Sequence, residues 1–338
     1  MSNESKILII APAWIGDMVM SQSLLKLLYQ QHAKQLTIDV FANNWASGLL
    51  SRMSEVHDII INPFVHGKLD LLGRIKVGFQ LRKNFYDQVF ILPNSFKSAI
   101  TPLFASIKTR TGFVGEGRYP LLNDVYKLDQ KQLPLMVDRF CALANQGKKV
   151  EAIEWPQLMV DIDNQQHLLQ KFGLNSEEPL VAFCPAAEYG PSKRWLPEHF
   201  AQLSDSLTQN GYTVMLFGSD KDIAISTTII NLVKNKRRII DLCGKTSLID
   251  AVDLLAKSKY VVTNDSGLMH IAAAVGTQVI AVYGSSSPDF TPPLSNSAQI
   301  LRIKLDCSPC FARTCRFDHY NCLRFITPAM VFAKILTK

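Results

Sequence analysis

Five groups of residues in this chain have the types and spacing to do chemistry. Asn264, Asp265 and Ser266 follow a short β-branched run at 260–263 and precede Gly267 and an Ala-rich stretch at 268–275. That order reads as strand, polar turn and helix, with side chains suited to accept bonds from the free N–H groups of a first helical turn. Such a unit aims a helix N-terminus at the carboxyl edge of a parallel sheet, where N–H groups and the helix dipole favour an anion such as a pyrophosphate. An ordinary βαβ turn with a well-made cap leaves the same pattern. Asp17, beside Gly16 at the mouth of the first expected helix, is either a cap or a carboxylate able to take a proton from an attacking hydroxyl. Lys193 and Arg194 lie just before a helix start near Pro197, where a cation would offset the charge on a leaving diphosphate, or would simply be solvated. Asp220 and Asp222 in FGSDKD suit ribose hydroxyls or a helix cap equally well. Cys307, Cys310, Cys315 and Cys322, with His319 among them, are close enough in sequence for a four-thiolate zinc site, but their spacing is irregular and buried reduced thiols look the same.

The elements that must carry these loops alternate along the whole chain. Strand-like apolar runs occur at 6–10, 36–41, 57–61, 88–92 and 109–114, with helical stretches at 18–31, 69–83 and 96–107. The rhythm restarts with strands at 180–184, 213–217, 238–242, 260–263 and 278–283, and helices at 198–209, 222–234 and 248–256. This pattern predicts two doubly wound parallel sheets with helices on both faces, their carboxyl edges lining a central cleft. The polar stretch 147–178 breaks the rhythm and separates the halves. We expect one domain over 1–165, a second over 166–320, and a C-terminal helix within 321–338 packing back on the first domain.

The 338 residues are enough for two such domains, and 47% hydrophobic with 19% charged residues describes a globular chain with a large core. No apolar run reaches the length of a membrane span, and the opening MSNESKILII has no secretory-signal pattern. Seven cysteines, an odd number, point to reduced thiols, so the expectation is a cytoplasmic protein. The net charge of +7 favours anionic ligands, but the cations are dispersed and not interleaved with aromatics, which gives no support to a nucleic-acid partner. Neither a G-x-x-x-x-G-K-[ST] loop nor a G-x-G-x-x-G turn is present, which removes P-loop NTPases and typical dinucleotide-dependent dehydrogenases.

Several segments together resemble one family. APAWIGDMVMSQSL, LPNSFKSA at 92–99, RTGF with EGRYPLLND at 110–124, AEYGPSKRWLPEHF at 187–200, NDSGLMHIAAAVGTQVIAVYGSSSP at 264–288, and CSPCFARTC are similar, in order, to the ADP-heptose:lipopolysaccharide heptosyltransferases of glycosyltransferase family 9, and most like those of type II. The resemblance implies a GT-B enzyme whose N-terminal domain receives the lipopolysaccharide inner core and whose C-terminal domain binds ADP-heptose. It implies Asp17 as catalytic base, Lys193 on the donor phosphates, Thr246 near adenine or ribose, and Asp265, Ser266, Gly267 and His270 as the donor motif D-[ST]-G-x-x-H. In FGSDKD, where type I members carry an acid, no residue matches cleanly, so no ribose contact is assigned.

The implied reaction is inverting transfer of L-glycero-D-manno-heptose to the first heptose on Kdo-lipid A, with no cofactor and no metal. Arg110 and Arg118 are expected to hold anionic groups of the acceptor. A lipid-linked acceptor also implies peripheral contact with the cytoplasmic face of the inner membrane. Three alternatives stand beside this reading. A type I enzyme or another GT-B transferase would differ in acceptor or donor, a non-catalytic nucleotide-sugar-binding protein would bind without turnover, and a nucleic-acid-binding protein would show salt-dependent retention on DNA.

Overall fold

The computed structural model describes residues 5–32, 35–65 and 67–336. The opening residues 1–4, part of the stretch read for an export signal, lie outside them. The chain divides into two units between Pro156 and Gln157.

The first unit is built on β1 (Ser5–Ile10), β2 (Leu36–Ala42), β3 (Asp58–Ile61), β4 (Gln88–Ile91), β5 (Thr109–Phe113) and β6 (Asp124–Tyr126). The second uses β7 (Leu180–Cys184), β8 (Thr213–Leu216), β9 (Ile239–Asp241), β10 (Tyr260–Asn264), β11 (Gln278–Tyr283) and β12 (Gln299–Arg302). Each set forms a six-stranded sheet, ordered β3-β2-β1-β4-β5-β6 and β12-β11-β10-β7-β8-β9, with every pairing parallel. The central strands are continuous apolar runs because both of their faces are covered by helices. Ile9 pairs with Val40 on one side and Phe90 on the other, and Val262 pairs with Ile280 and Phe183. In both sheets the chain works outward in one direction from a central strand, then returns to that strand's other side. The reversal creates a crevice between β1 and β4, and another between β7 and β10, where ligands of open α/β sheets bind.

The expected long helix at 96–107 is a 3₁₀ turn, Phe96–Ala99, followed by a short helix, Ile100–Phe104, with Pro102 inside it and Ser106 at positive φ just beyond. The first helix begins at Ile15, ahead of the expected position, which brings Asp17 into its opening turn. Two short edge strands, β6 and β12, and the helices Met136–Leu143 and Ile162–Lys171 were not anticipated.

The helix Ile162–Lys171 moves the division of the chain ahead of residue 165. Asp161 caps it, and Asn164 and Gln165 bond the carboxylate and the carbonyl of fully buried Asp253 at 2.7 Å each, which fastens the helix to the second unit. The C-terminal helix Pro328–Leu336 belongs to the second unit. Val331 and Ile335 join the core formed by Trp195, Phe183 and Phe200, and the Trp195 indole donates to the Ile326 carbonyl at 2.8 Å. Packing against Trp195 removes the apolar face of this helix from water.

Candidate active site

In the second unit, the loops after β7, β10 and β11 meet at the crevice. Asn264, the last residue of β10, is buried and joins two of them: its Oδ1 accepts from the Trp195 N–H at 2.8 Å and its Nδ2 donates to the Pro185 carbonyl at 2.7 Å. The next residue, Asp265, is buried and pairs through Oδ2 with Lys193 Nζ at 2.5 Å. An ammonium and a carboxylate this close form a charge-assisted hydrogen bond, stronger than a neutral one. The Lys193 ammonium also lies over the Tyr189 ring, 5.1 Å from its centroid. Ser266 occupies the N-cap position of the helix Gly267–Ala274, but no side chain closes on the first turn, and the Ser266 hydroxyl lies 3.4 Å from that of Thr263. The capping expected of Asn264 and Asp265 is therefore replaced by loop tethering and by the ion pair. His270, on the same helix, is buried; desolvation lowers its pKa to about 4, against the pull of Asp265 and with the help of Lys193. Its imidazole is neutral at physiological pH.

The Lys193 loop is held from below. Ser192 accepts from the Ser285 N–H at 3.1 Å, and the two hydroxyls meet at 2.9 Å. Residues 311–313, inside the cysteine-rich stretch, supply the rest. The Ser192 N–H bonds the Arg313 carbonyl at 3.2 Å, the Ser192 hydroxyl bonds the Ala312 carbonyl, and the Phe311 N–H bonds the Ser285 carbonyl at 2.8 Å. A Cβ at position 190 would land on the Arg313 carbonyl, so only glycine allows this approach. Ser286 is buried among these loops with a hydroxyl that has no hydrogen-bond partner.

The four neighbouring thiols are free and half-buried. Burial raises the Cys322 pKa, and the neighbouring Cys307, Cys310 and Cys315 raise it further. Burial also pushes Cys315 up, but backbone N–H groups of residues 317–320 outweigh it and lower its pKa. Among the described residues no group of three or more His, Cys, Asp or Glu is placed to hold a metal ion.

Further along the same carboxyl edge lie the loops after β8 and β9. Asp222 is a cap, accepting from the Ser219 N–H at 2.9 Å and its hydroxyl at 2.7 Å. Asp220 is exposed and faces Gly244, where a Cβ would come within 2.5 Å of its Oδ1. Thr246 is half-buried in the loop after β9, its hydroxyl 3.4 Å from the Leu242 carbonyl. From β10 to β9 the sheet crosses three strand spacings, about 14 Å. The edge thus offers a cation and a helix N-terminus at one end and hydroxyl and carboxylate groups at the other, in the order that a nucleoside diphosphate laid along it would need.

In the first unit, Asp17 is half-buried in the opening turn of the helix Ile15–Gln31, directly after β1 and at that sheet's own crevice. The N-cap is Trp14, whose side chain makes no cap, and the helix dipole favours a charged carboxylate at this point. The two arginines expected to hold the acceptor are both bonded to the loops around them. Arg118 is fully buried, and its guanidinium donates to the carbonyls of Phe113 and Pro93, to Ser98 Oγ at 3.2 Å and to Asn94 Oδ1 at 3.0 Å. Desolvation brings its pKa down to about 10. Arg110 donates to the carbonyls of Leu121 at 2.9 Å and Ile107 at 2.7 Å. Both tie loops of β4 and β5 together, and Arg118 has no donor left for an anion.

Residues 74–321 match the family model described as glycosyltransferase family 9 (heptosyltransferase). The chain belongs to this family. It is 47% identical over 307 residues to lipopolysaccharide heptosyltransferase 2 of Escherichia coli K12, covering 88% of each chain. It is 45% identical over 311 residues to lipooligosaccharide heptosyltransferase 2 of Haemophilus ducreyi, again covering 88% of each. The solved structure of E. coli ADP-heptose lipopolysaccharide heptosyltransferase II superposes with a TM-score of 0.87 at 43% identity, covering 98% of this chain and 97% of the other. The fold of this family member is the GT-B type.

Two supporting residues escaped the sequence reading, and Asn264 was read only as a helix cap. Ser192 lies beside Lys193, and only the folded loops show that it and Asn264 position the lysine loop. Ser286 sits in the GSSSP run; three serines after a buried strand were the available signal.

Proposed function

We propose that this chain is a heptosyltransferase that moves heptose from ADP-heptose to the first heptose of the lipopolysaccharide inner core. The Lys193–Asp265 pair at the crevice of the second sheet carries the reading, because it stores a positive charge beside a helix N-terminus, where a departing diphosphate needs both. Likeness to enzymes named for this transfer supports the choice of donor and acceptor.

In the proposed reaction the acceptor hydroxyl oxygen attacks the anomeric carbon of the heptose as the bond from that carbon to the phosphate oxygen breaks. The hydroxyl proton passes to Asp17, and ADP leaves with the bonding electrons. Attack in line with departure inverts the anomeric centre. Lys193 balances the growing charge on the diphosphate, and the helix beginning at Gly267 adds its dipole. Neutral His270 can exchange a hydrogen bond with the ligand without adding a second cation to the site. Asp220 and Thr246 take the nucleoside end, and the scheme draws on no metal ion. No helix among the described residues is long and apolar enough to cross a membrane. With a lipid-linked acceptor, the enzyme works from the cytoplasm at the face of the inner membrane.

The test is transfer from ADP-heptose to purified lipopolysaccharide truncated after its first heptose, run beside lipopolysaccharide without heptose. Transfer to the first alone is the expected result. Transfer to the bare core would make the chain a type I enzyme, and transfer to neither would overturn the reading.

A further inference from the structure

The helix Leu71–Leu81 of the first unit is anchored on one side and open on the other. On the anchored side Gly78 abuts the helix Ile100–Phe104, where a Cβ would come 2.8 Å from the Thr101 carbonyl and 2.6 Å from Phe104 Cβ. Arg74 is buried there too, its guanidinium 4.1 Å from the centre of the Phe64 ring and bonded to the carbonyls of Leu69 and Lys97. Leu72, Lys76, Phe79 and Lys83 follow at helical spacing and all four are exposed, with the Phe79 ring also meeting the Phe104 ring edge-on, centroids 5.9 Å apart. Leu72 keeps 80% of its surface in solvent and Phe79 50%, and Phe85, just past the helix, keeps 83%.

Large apolar side chains this exposed, recurring along one helix and just past its end, mark a binding surface. The charge on the strip identifies the partner. Residues 67–85 hold five cations, Lys68, Arg74, Lys76, Arg82 and Lys83, against the single acid Asp70. All of the cations except Arg74 are exposed, and the Arg82 guanidinium lies 4.3 Å from the centre of the Phe79 ring. Lysines interleaved with leucine and phenylalanine are uncommon in the centre of protein interfaces, which are depleted in lysine. They suit a bilayer surface, where apolar groups enter the acyl boundary and long cationic stems reach back to anionic headgroups. At 11 residues the helix is too short to span and lies in the plane of the interface.

We propose that the helix Leu71–Leu81, with Leu72, Phe79 and Phe85 as apolar anchors and Lys76, Arg82 and Lys83 as headgroup contacts, seats this enzyme on an anionic lipid leaflet. The proposal rests on the reading of a lipid-linked acceptor and names the surface that meets the lipid. Holding the enzyme there confines its search for acceptor to two dimensions.

The experiment compares the full chain with Leu72→Gln/Phe85→Asn and Lys76→Gln/Lys83→Gln in sedimentation with vesicles of phosphatidylcholine, with and without phosphatidylglycerol. Asparagine tolerates the positive φ of position 85. The full chain is expected on the anionic vesicles, weakened by salt, and each pair of substitutions lowers the partition by about tenfold to thirtyfold. Unfolding temperature and transfer to detergent-dispersed acceptor stay unchanged, while transfer to vesicle-embedded acceptor falls. Absence of the full chain from anionic vesicles, or equal partition of the variants, would overturn the proposal. So would a lipid-free dimer that Leu72→Gln/Phe85→Asn dissolves, because the face would then belong to a second copy. Patch-dependent vesicle binding without transfer to any acceptor would refute the heptosyltransferase reading and leave the lipid surface standing.

Discussion

The two units share one strand order and put buried positive charge to opposite uses in the loops at their sheets' carboxyl edges. In the first, Arg118 is sealed among carbonyls and side-chain oxygens of the loops it joins. In the second, Lys193 has a carboxylate partner, Asp265, and keeps 17% of its side chain in solvent. A cation surrounded by fixed acceptors holds a fold together. A cation balanced by one carboxylate at a solvent-touching crevice can be shared with an arriving anion, so the same frame supports a brace in one unit and a ligand site in the other.

The largest expected effect lies at Asp17. Asp17→Asn should lower kcat by about a hundredfold to ten-thousandfold while ADP binding by calorimetry is retained; near-normal turnover would remove the base from the first unit. Lys193→Ala should lower kcat/KM by about a hundredfold to a thousandfold. It also strands the buried Asp265 carboxylate, so the double variant with Asp265→Asn is expected to recover thermal stability without recovering turnover. A double variant that regained activity would show the lysine to be a second brace.

A pH titration of stability probes His270 on the donor side. Its folded pKa of about 4 lies below the ordinary 6.5, so the unfolded chain binds the extra proton between these values. The associated stability is present above about pH 6.5 and is lost as pH falls toward 4, a change of about 3 kcal/mol that His270→Gln should flatten in unfolding curves. The smallest effect and the sharpest contrast with Lys193 come from Arg118→Ala. Leaving the Pro93 and Phe113 carbonyls without a donor should cost about 2–3 kcal/mol of stability. ADP affinity should be unchanged; a selective loss of acceptor use at full stability would return Arg118 to the acceptor site.

The central strands were legible because buried parallel strands are written as unbroken apolar runs. β6 and β12 were not, being half-covered edges of only three and four residues with polar ends. Helix Met136–Leu143 opens without a side-chain cap, and Ile162–Lys171 is polar and leans on Asp253, distant in sequence. In the site, residue types located Asp265 and Lys193, but their pairing across the β7 and β10 loops is tertiary. The burial of Arg118 is tertiary in the same way: nothing local in EGRYP says that the side chain folds back beneath the Asn94 loop.

All four sheet edges, β3, β6, β9 and β12, are only three or four residues long. A neighbouring chain that approached in solution would find almost no open backbone ladder on which to add a strand. On the lipid surface proposed above, where crowding would drive edge-to-edge association, such short edges guard against aggregation by strand addition.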